Sequence, residues 1–162
     1  MKSDNIRIAD YNDLPFVLEM IHALAEYEKA PEAVVINLEQ LEKDFKEELF
    51  EALIIKWDGQ PVGMALYYFR YSTWKGKSLY LEDLFIKPES RGHGLGKKVM
   101  YFLADYACKS ECGRFEWQVL DWNTPSIEFY KTLGAEIDPE WMNCRLEGKA
   151  ISELAKYSIS ID

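Results

Sequence analysis

The residues best suited to chemistry in this chain lie in one short run, Arg91-Gly92-His93-Gly94-Leu95-Gly96-Lys97. Three alternate glycines allow a tight backbone whose N–H groups point one way. The helix predicted to follow adds its positive N-terminal end. Together they make an anion site, and a pyrophosphate is its natural occupant. Arg91 and Lys97 or Lys98 add charge-assisted contacts. The Walker loop needs Gly-x-x-x-x-Gly-Lys-Ser/Thr, and the dinucleotide loop needs Gly-x-Gly-x-x-Gly after the first strand of a βαβ unit. Here the spacing is Gly-x-Gly-x-Gly after the fourth strand of a meander, so both fail.

Other chemistries lack their residues. The chain has two histidines, His22 and His93, and three cysteines, Cys108, Cys112 and Cys144. A zinc site needs four ligands at familiar spacings, so no metal is expected. The odd cysteine count fits reduced thiols in a cytoplasmic protein. Neither histidine is assigned a catalytic role.

The 162 residues are 48% hydrophobic and 29% charged, a soluble globular balance that fits a single domain over residues 1–162. The net charge is −9, from 19 Lys plus Arg against 28 Asp plus Glu. Nucleic-acid binders show the opposite sign, so no nucleic-acid partner is expected. The acidic balance either attracts a cationic substrate or only keeps the protein soluble. Met1-Lys2-Ser3-Asp4-Asn5 has no apolar stretch and does not read as a signal peptide. No run approaches the ~18 apolar residues of a membrane span.

The positioning elements follow from the periodicity. Ile6-Arg7-Ile8 alternates as a first strand. Asn12 caps a helix with Pro15 in its first turn and Leu14, Val17, Leu18, Ile21 and Leu24 on one face. A second helix follows Asn37. Ala52–Ile55, Val62–Tyr71 and Leu79–Ile86 are strands, with Asp58-Gly59 as a hairpin signal and Trp74-Lys75-Gly76 as the next turn. After the glycine loop come a helix from Leu95 to Ala107 and a strand from Phe115 to Leu120. A short helix capped by Asn123 and closed at Gly134 follows, then a last strand from Trp141 to Leu146 and a closing helix over 149–157. The order β-α-α-β-β-β-α-β-α-β predicts an α/β (α+β) fold, a mixed and mostly antiparallel sheet with helices on both faces.

Arg91-Gly92-x-Gly94-x-Gly96 between a strand and a helix resembles the acetyl-CoA loop of the GNAT N-acetyltransferases. Tyr80-Leu81-Glu82-Asp83-Leu84-Phe85-Ile86 and the stretch from Asp121 to Lys131 resemble their diamine (spermidine/spermine) and thialysine branch. Ala25-Glu26-Tyr27-Glu28-Lys29 and Met64–Phe69 do the same. The likeness runs from about residue 5 to 135. It implies acetyl-CoA as cosubstrate. Leu84, Phe85 and Ile86 then lie along the pantetheine arm, and the run from Arg91 through Gly92, His93, Gly94, Leu95 and Gly96 to Lys97 holds the pyrophosphate. Asn123 and Ser126 lie near the pantetheine end. Tyr130 matches the tyrosine that faces the sulfur, Glu82 the carboxylate near the substrate amine, and Tyr27 and Glu28 residues of the polyamine groove. Many members are dimers, so a homodimer is expected.

On that reading Glu82, directly or through water, removes the proton of an amine that titrates near ~10.4. Backbone N–H groups near Leu84 polarise the thioester, and Tyr130 protonates the leaving thiolate. Glu82 and Asp83 are neighbours on a strand and are expected to face opposite sides, so only one looks into a given pocket. Asp83 reads as a structural acceptor. The substrate is a small cationic amine, either a polyamine or a lysine-like amino acid. The latter needs a cationic partner for its carboxylate, and the sequence does not single one out. Acetylation of protein amines and a non-catalytic acyl-CoA sensor are the alternatives.

Overall fold

The computed structural model describes residues 5–160. Residues 1–4, on which the reading of the chain start rests, lie outside that range. Residues up to Gln118 form one compact unit and those from Val119 a second.

The first unit is a five-stranded sheet in the order β1-β2-β3-β4-β5. The strands are β1 (Asn5–Ile8), β2 (Glu51–Trp57), β3 (Gln60–Ser72), β4 (Gly76–Ile86) and β5 (Arg114–Trp117). β1 to β4 pair antiparallel, and β4 and β5 pair parallel. Asp58 and Gly59 both take positive φ (50° and 77°), the two-residue hairpin turn that suits the twist of β2 and β3. At the next turn, Ser72 Oγ accepts from the Trp74 and Lys75 backbone N–H groups.

Period-2 alternation sends apolar side chains to both faces of the sheet. Ala52, Ile54, Met64, Leu66 and Phe85 pack with Leu14, Val17 and Met20 of α1 (Leu14–Tyr27) and Leu41 of α2 (Leu38–Lys46). Leu53, Ile55, Tyr67, Leu79 and Leu81 point the other way. That face is covered by α3 (Leu95–Lys109), through its buried Leu95, Val99, Met100, Leu103 and Ala107.

Three local expectations change. Asn12 does not cap α1. Asp10 caps a one-turn 3-10 helix over Tyr11–Asp13, and the Asp13 carboxylate accepts from Asp10 N–H at 2.8 Å, a reciprocal capping box. Arg7 braces Asp13 with two hydrogen bonds of 2.6 and 2.7 Å, and α1 starts at Leu14. The fifth strand is shorter than its apolar run, because pairing with β4 ends at Leu81↔Trp117. The strand predicted over Trp141–Leu146 does not form. β-propensity measures fit to a half-buried pleated surface, and this segment is exposed throughout, with Met142 88% accessible.

The second unit holds α4 (Thr124–Thr132) and α5 (Lys149–Ala155). Asn123 Oδ1 accepts from Ser126 N–H to cap α4, and Gly134 (φ 83°) follows its last turn, both as predicted. No helix among the described residues is long and apolar enough to cross a membrane.

Candidate active site

The glycine loop is built to let a ligand approach backbone. Gly92 and Gly94 take φ of 82° and 74°, a region that L side chains rarely adopt. A Cβ on either would meet nothing within 4 Å, so the space beside both is open. Gly94 occupies the N-cap position of α3, and no side chain caps that end. The free N–H groups and positive end of a 15-residue helix therefore face the loop. Leu95 is 2% exposed and anchors the helix start in the core, so its contribution to a ligand is limited to its backbone.

Two side chains tie the loop down. Arg91 Nε donates to the Ile86 carbonyl at 2.8 Å, and its guanidinium lies over the rings of Phe85 and Tyr27. Arg91 is thus first a brace between loop, strand end and α1, with only its Nε committed. His93 stacks on Trp57 with centroids 4.4 Å apart and planes within 14°. Lys97 extends over Tyr101.

The carboxylates sit on β4, and here the sequence expectation is overturned. Leu66 pairs with Asp83 and Tyr67 with Leu81, so Glu82 is an extra residue opposite no partner, a β-bulge. The bulge breaks the alternation. Tyr68, which packs against the α1 core, donates from its hydroxyl to Glu82 Oε2 at 2.8 Å. Asp83 pairs with Leu66 of the same core and feels the charges of Glu82 and of Glu28 at the end of α1. Both carboxylates therefore lie on the α1 side of the sheet. Asp83 is the residue that strict alternation places on the wrong side. Burial, reinforced by the negative charges of Glu82 and Glu28, pushes its carboxyl up to about 7. An acidic pair in an apolar strand was visible in the sequence, but nothing there marked the bulge.

Burial also raises Glu28. Tyr68 is raised by burial first, then by its hydrogen bond to Glu82. Among the described residues β5 follows β4 no further than Leu81. The β4 edge across Glu82, Asp83, Leu84, Phe85 and Ile86 is left open on that side. An extended ligand can add to such an edge as a strand does. The structure thus brings Tyr27, Glu28, Glu82, the open edge and the glycine loop into one unit.

Asn123, Ser126 and Tyr130 belong to the second unit. Asn123 is buried, Ser126 and Tyr130 are half-buried on α4, and the Tyr130 ring packs on Phe129 at 5.2 Å. Among the described residues no cluster of His, Cys, Asp and Glu could hold a metal ion.

An open strand edge after a bulge, running into a glycine loop at a helix N-terminus, is the signature that comparison with known proteins resolves. Residues 15–135 match the acetyltransferase (GNAT) family. The chain belongs to that family. As a GNAT protein it is an acetyl-CoA-dependent N-acetyltransferase. It is 44% identical to the thialysine N-epsilon-acetyltransferase of Sus scrofa over 96% of this chain and 99% of that one. It is 34% identical to the human spermidine/spermine N(1)-acetyltransferase-like protein 1 over 80% of this chain and 20% of that much longer one. Among solved structures, an integron cassette protein from the mobile metagenome of V. cholerae superposes with a TM-score of 0.75. It is 26% identical and covers 95% of this chain and 98% of that one. The GNAT fold was therefore correctly expected from the sequence, as was the likeness to the diamine and thialysine branch.

Proposed function

We propose that this GNAT enzyme acetylates the terminal primary amine of a small cationic substrate, a lysine-like amino acid or a polyamine, by direct attack. The convergence of Glu82 and Asp83 on one side of the sheet, beside the open β4 edge, carries the reading. A cationic amine needs negative charge to bind and a base to become nucleophilic, and the two carboxylates divide that work. Glu82 accepts the ammonium proton, directly or through water. Asp83 and Glu28 hold the charge of the incoming cation, which lowers the cost of ionising Asp83.

Acetyl-CoA supplies the activated carbonyl. Leu84, Phe85 and Ile86 would hold its pantetheine arm, with backbone N–H groups near Leu84 polarising the thioester oxygen. Gly92, Gly94, Gly96, the backbone of His93 and Leu95, Lys97 and the free Nη groups of Arg91 would hold the pyrophosphate. The likeness to the diamine and thialysine branch supports assigning Asn123 and Ser126 to the pantetheine end and the Tyr130 hydroxyl to protonation of the departing sulfur. The names of the curated relatives, which act on thialysine or resemble spermidine/spermine acetyltransferases, support the amine class.

One domain over residues 1–162 is part of this reading. The family match crosses the boundary between the two compact units, which supports it. So is a homodimer, which the exposed Tyr71 and Trp74 at the β3–β4 turn favour, and a cytoplasmic site, which three free thiols favour. The test is thiol release from acetyl-CoA against a panel of diamines, polyamines, basic amino acids and a lysine peptide. Turnover with a small amine supports the reading. Turnover with the peptide alone, or CoA binding without turnover, overturns it.

A further inference from the structure

The carboxylates occupy one end of a longer strip on the same face of the sheet. Arg70 and Tyr68 stand on β3 opposite Ser78 and Tyr80 of β4, and Glu116 of β5 pairs with Tyr80. Tyr68 and Tyr80 lie side by side, ring centroids 5.4 Å apart, Tyr68 half-buried and Tyr80 buried, and form an aromatic floor beneath the strip. At one end of that floor are Glu82, Asp83 and Glu28. At the other, Arg70 places its guanidinium over the Tyr80 ring at 4.7 Å.

The far end carries surplus positive charge. Arg70 Nε meets Glu116 Oε1 at 2.9 Å, and Arg114 Nη1 meets Glu116 Oε2 at 3.2 Å. One carboxylate thus serves two guanidiniums. Arg70 faces Glu116 through Nε as an ion pair without a hydrogen bond and is half exposed, so its Nη fork remains open to an anion. A guanidinium fork is suited to the two oxygens of a carboxylate. Tyr80, under the Arg70 guanidinium, is two residues from Glu82, roughly 7 Å along a strand. That span matches the reach from the terminal nitrogen of an extended lysine-like side chain to its α-carbon.

We propose that Arg70 is a specificity-determining residue that receives the α-carboxylate of an amino-acid substrate, and so favours basic amino acids over the diamines they resemble. The proposal rests on the amine-acetylation reading above. A diamine of the same length carries a second ammonium, which would meet the positive surplus of Arg70 and Arg114. An amino acid presents opposite charges to opposite ends of the strip.

The experiment uses pairs that differ by the carboxylate alone: lysine against cadaverine, and ornithine against putrescine. In the wild type, kcat/KM is higher for the amino acid of each pair. In Arg70→Gln, KM for the amino acid rises by about 10- to 100-fold and KM for the diamine is unchanged or falls. Arg70→Lys restores part of the preference. Glu116→Gln, which frees the guanidinium, lowers KM for the amino acid and serves if Arg70 variants fold poorly. Equal losses on both members of a pair, or a wild type that shows no preference while turning over both, overturns the role of Arg70 and leaves amine acetylation standing. A wild type that acetylates neither these four nor the polyamines of the panel above overturns both.

Discussion

Tyr68 reaches across from β3 to donate a 2.8 Å hydrogen bond to Glu82 of β4. The bond fixes the carboxylate that the bulge has turned toward α1. It also orients one oxygen, leaving the other for the substrate. Tyr68→Phe is expected to cut kcat/KM for the amine by about tenfold, the usual scale for one hydrogen bond to a charged group. Acetyl-CoA affinity by calorimetry should not change. An unaltered kcat/KM would remove this bond from the reaction.

Asp83 makes folding sensitive to pH in a defined direction. Its folded carboxyl, at about 7, lies above its ordinary value of 3.8. The folded state therefore binds the extra proton, and this group's stabilisation is full below about pH 4 and lost as pH rises toward 7. Asp83→Asn removes that dependence. In urea denaturation the variant should gain on the wild type by about 2–3 kcal/mol more at pH 8 than at pH 5. A gap that stays constant with pH would contradict the raised carboxyl. The same variant should bind the cationic amine more weakly.

Tyr130→Phe keeps the ring on Phe129 and deletes only the hydroxyl. Turnover should fall about 10²-fold, the scale of a single acid–base group, with acetyl-CoA affinity retained. Wild-type turnover in this variant would assign proton delivery elsewhere.

Gly94→Val tests the loop. A β-branched residue at φ 74° is strained, and its side chain would enter the open space at the start of α3. Affinity for CoA should drop at least tenfold, with the amine KM measured at saturating acetyl-CoA little changed. Intact CoA affinity would exclude this end of α3 as the anion site.

Much of this was legible in the sequence because it rests on local signals. The glycines at 92 and 94, the Asp58-Gly59 hairpin, Pro15 early in α1 and the Asn123 cap each follow from one or two residues acting on nearby backbone. The glycine loop reads from the same kind of local signal, and Glu82 from the family resemblance. What was misread depends on partners distant in the chain. Strict alternation set Asp83 apart from Glu82, and only the register against Leu66 and Tyr67 reveals the bulge. The Trp141–Leu146 stretch has strand-like residues, yet a strand is decided by what lies beside it. Arg91 reads from the sequence as a phosphate contact, and its hydrogen bond to the strand end and its place over Tyr27 depend on partners the sequence does not mark. The two-guanidinium grip on Glu116 involves β3 and β5, separated in the chain by α3.

The extra residue at Glu82 also reverses which positions of β4 face each layer. Before it, Leu79 and Leu81 point into the α3 side; after it, Phe85 joins the α1 core. One strand thus stitches both hydrophobic layers, and the acids sit at the crossing stitch. Neither layer can loosen without pulling on the other through those few residues, so the seat of the carboxylates should breathe only when the whole sheet does. Amides from Leu79 to Phe85 that are hydrogen-bonded to β3 would then exchange with solvent at the slow, global rate.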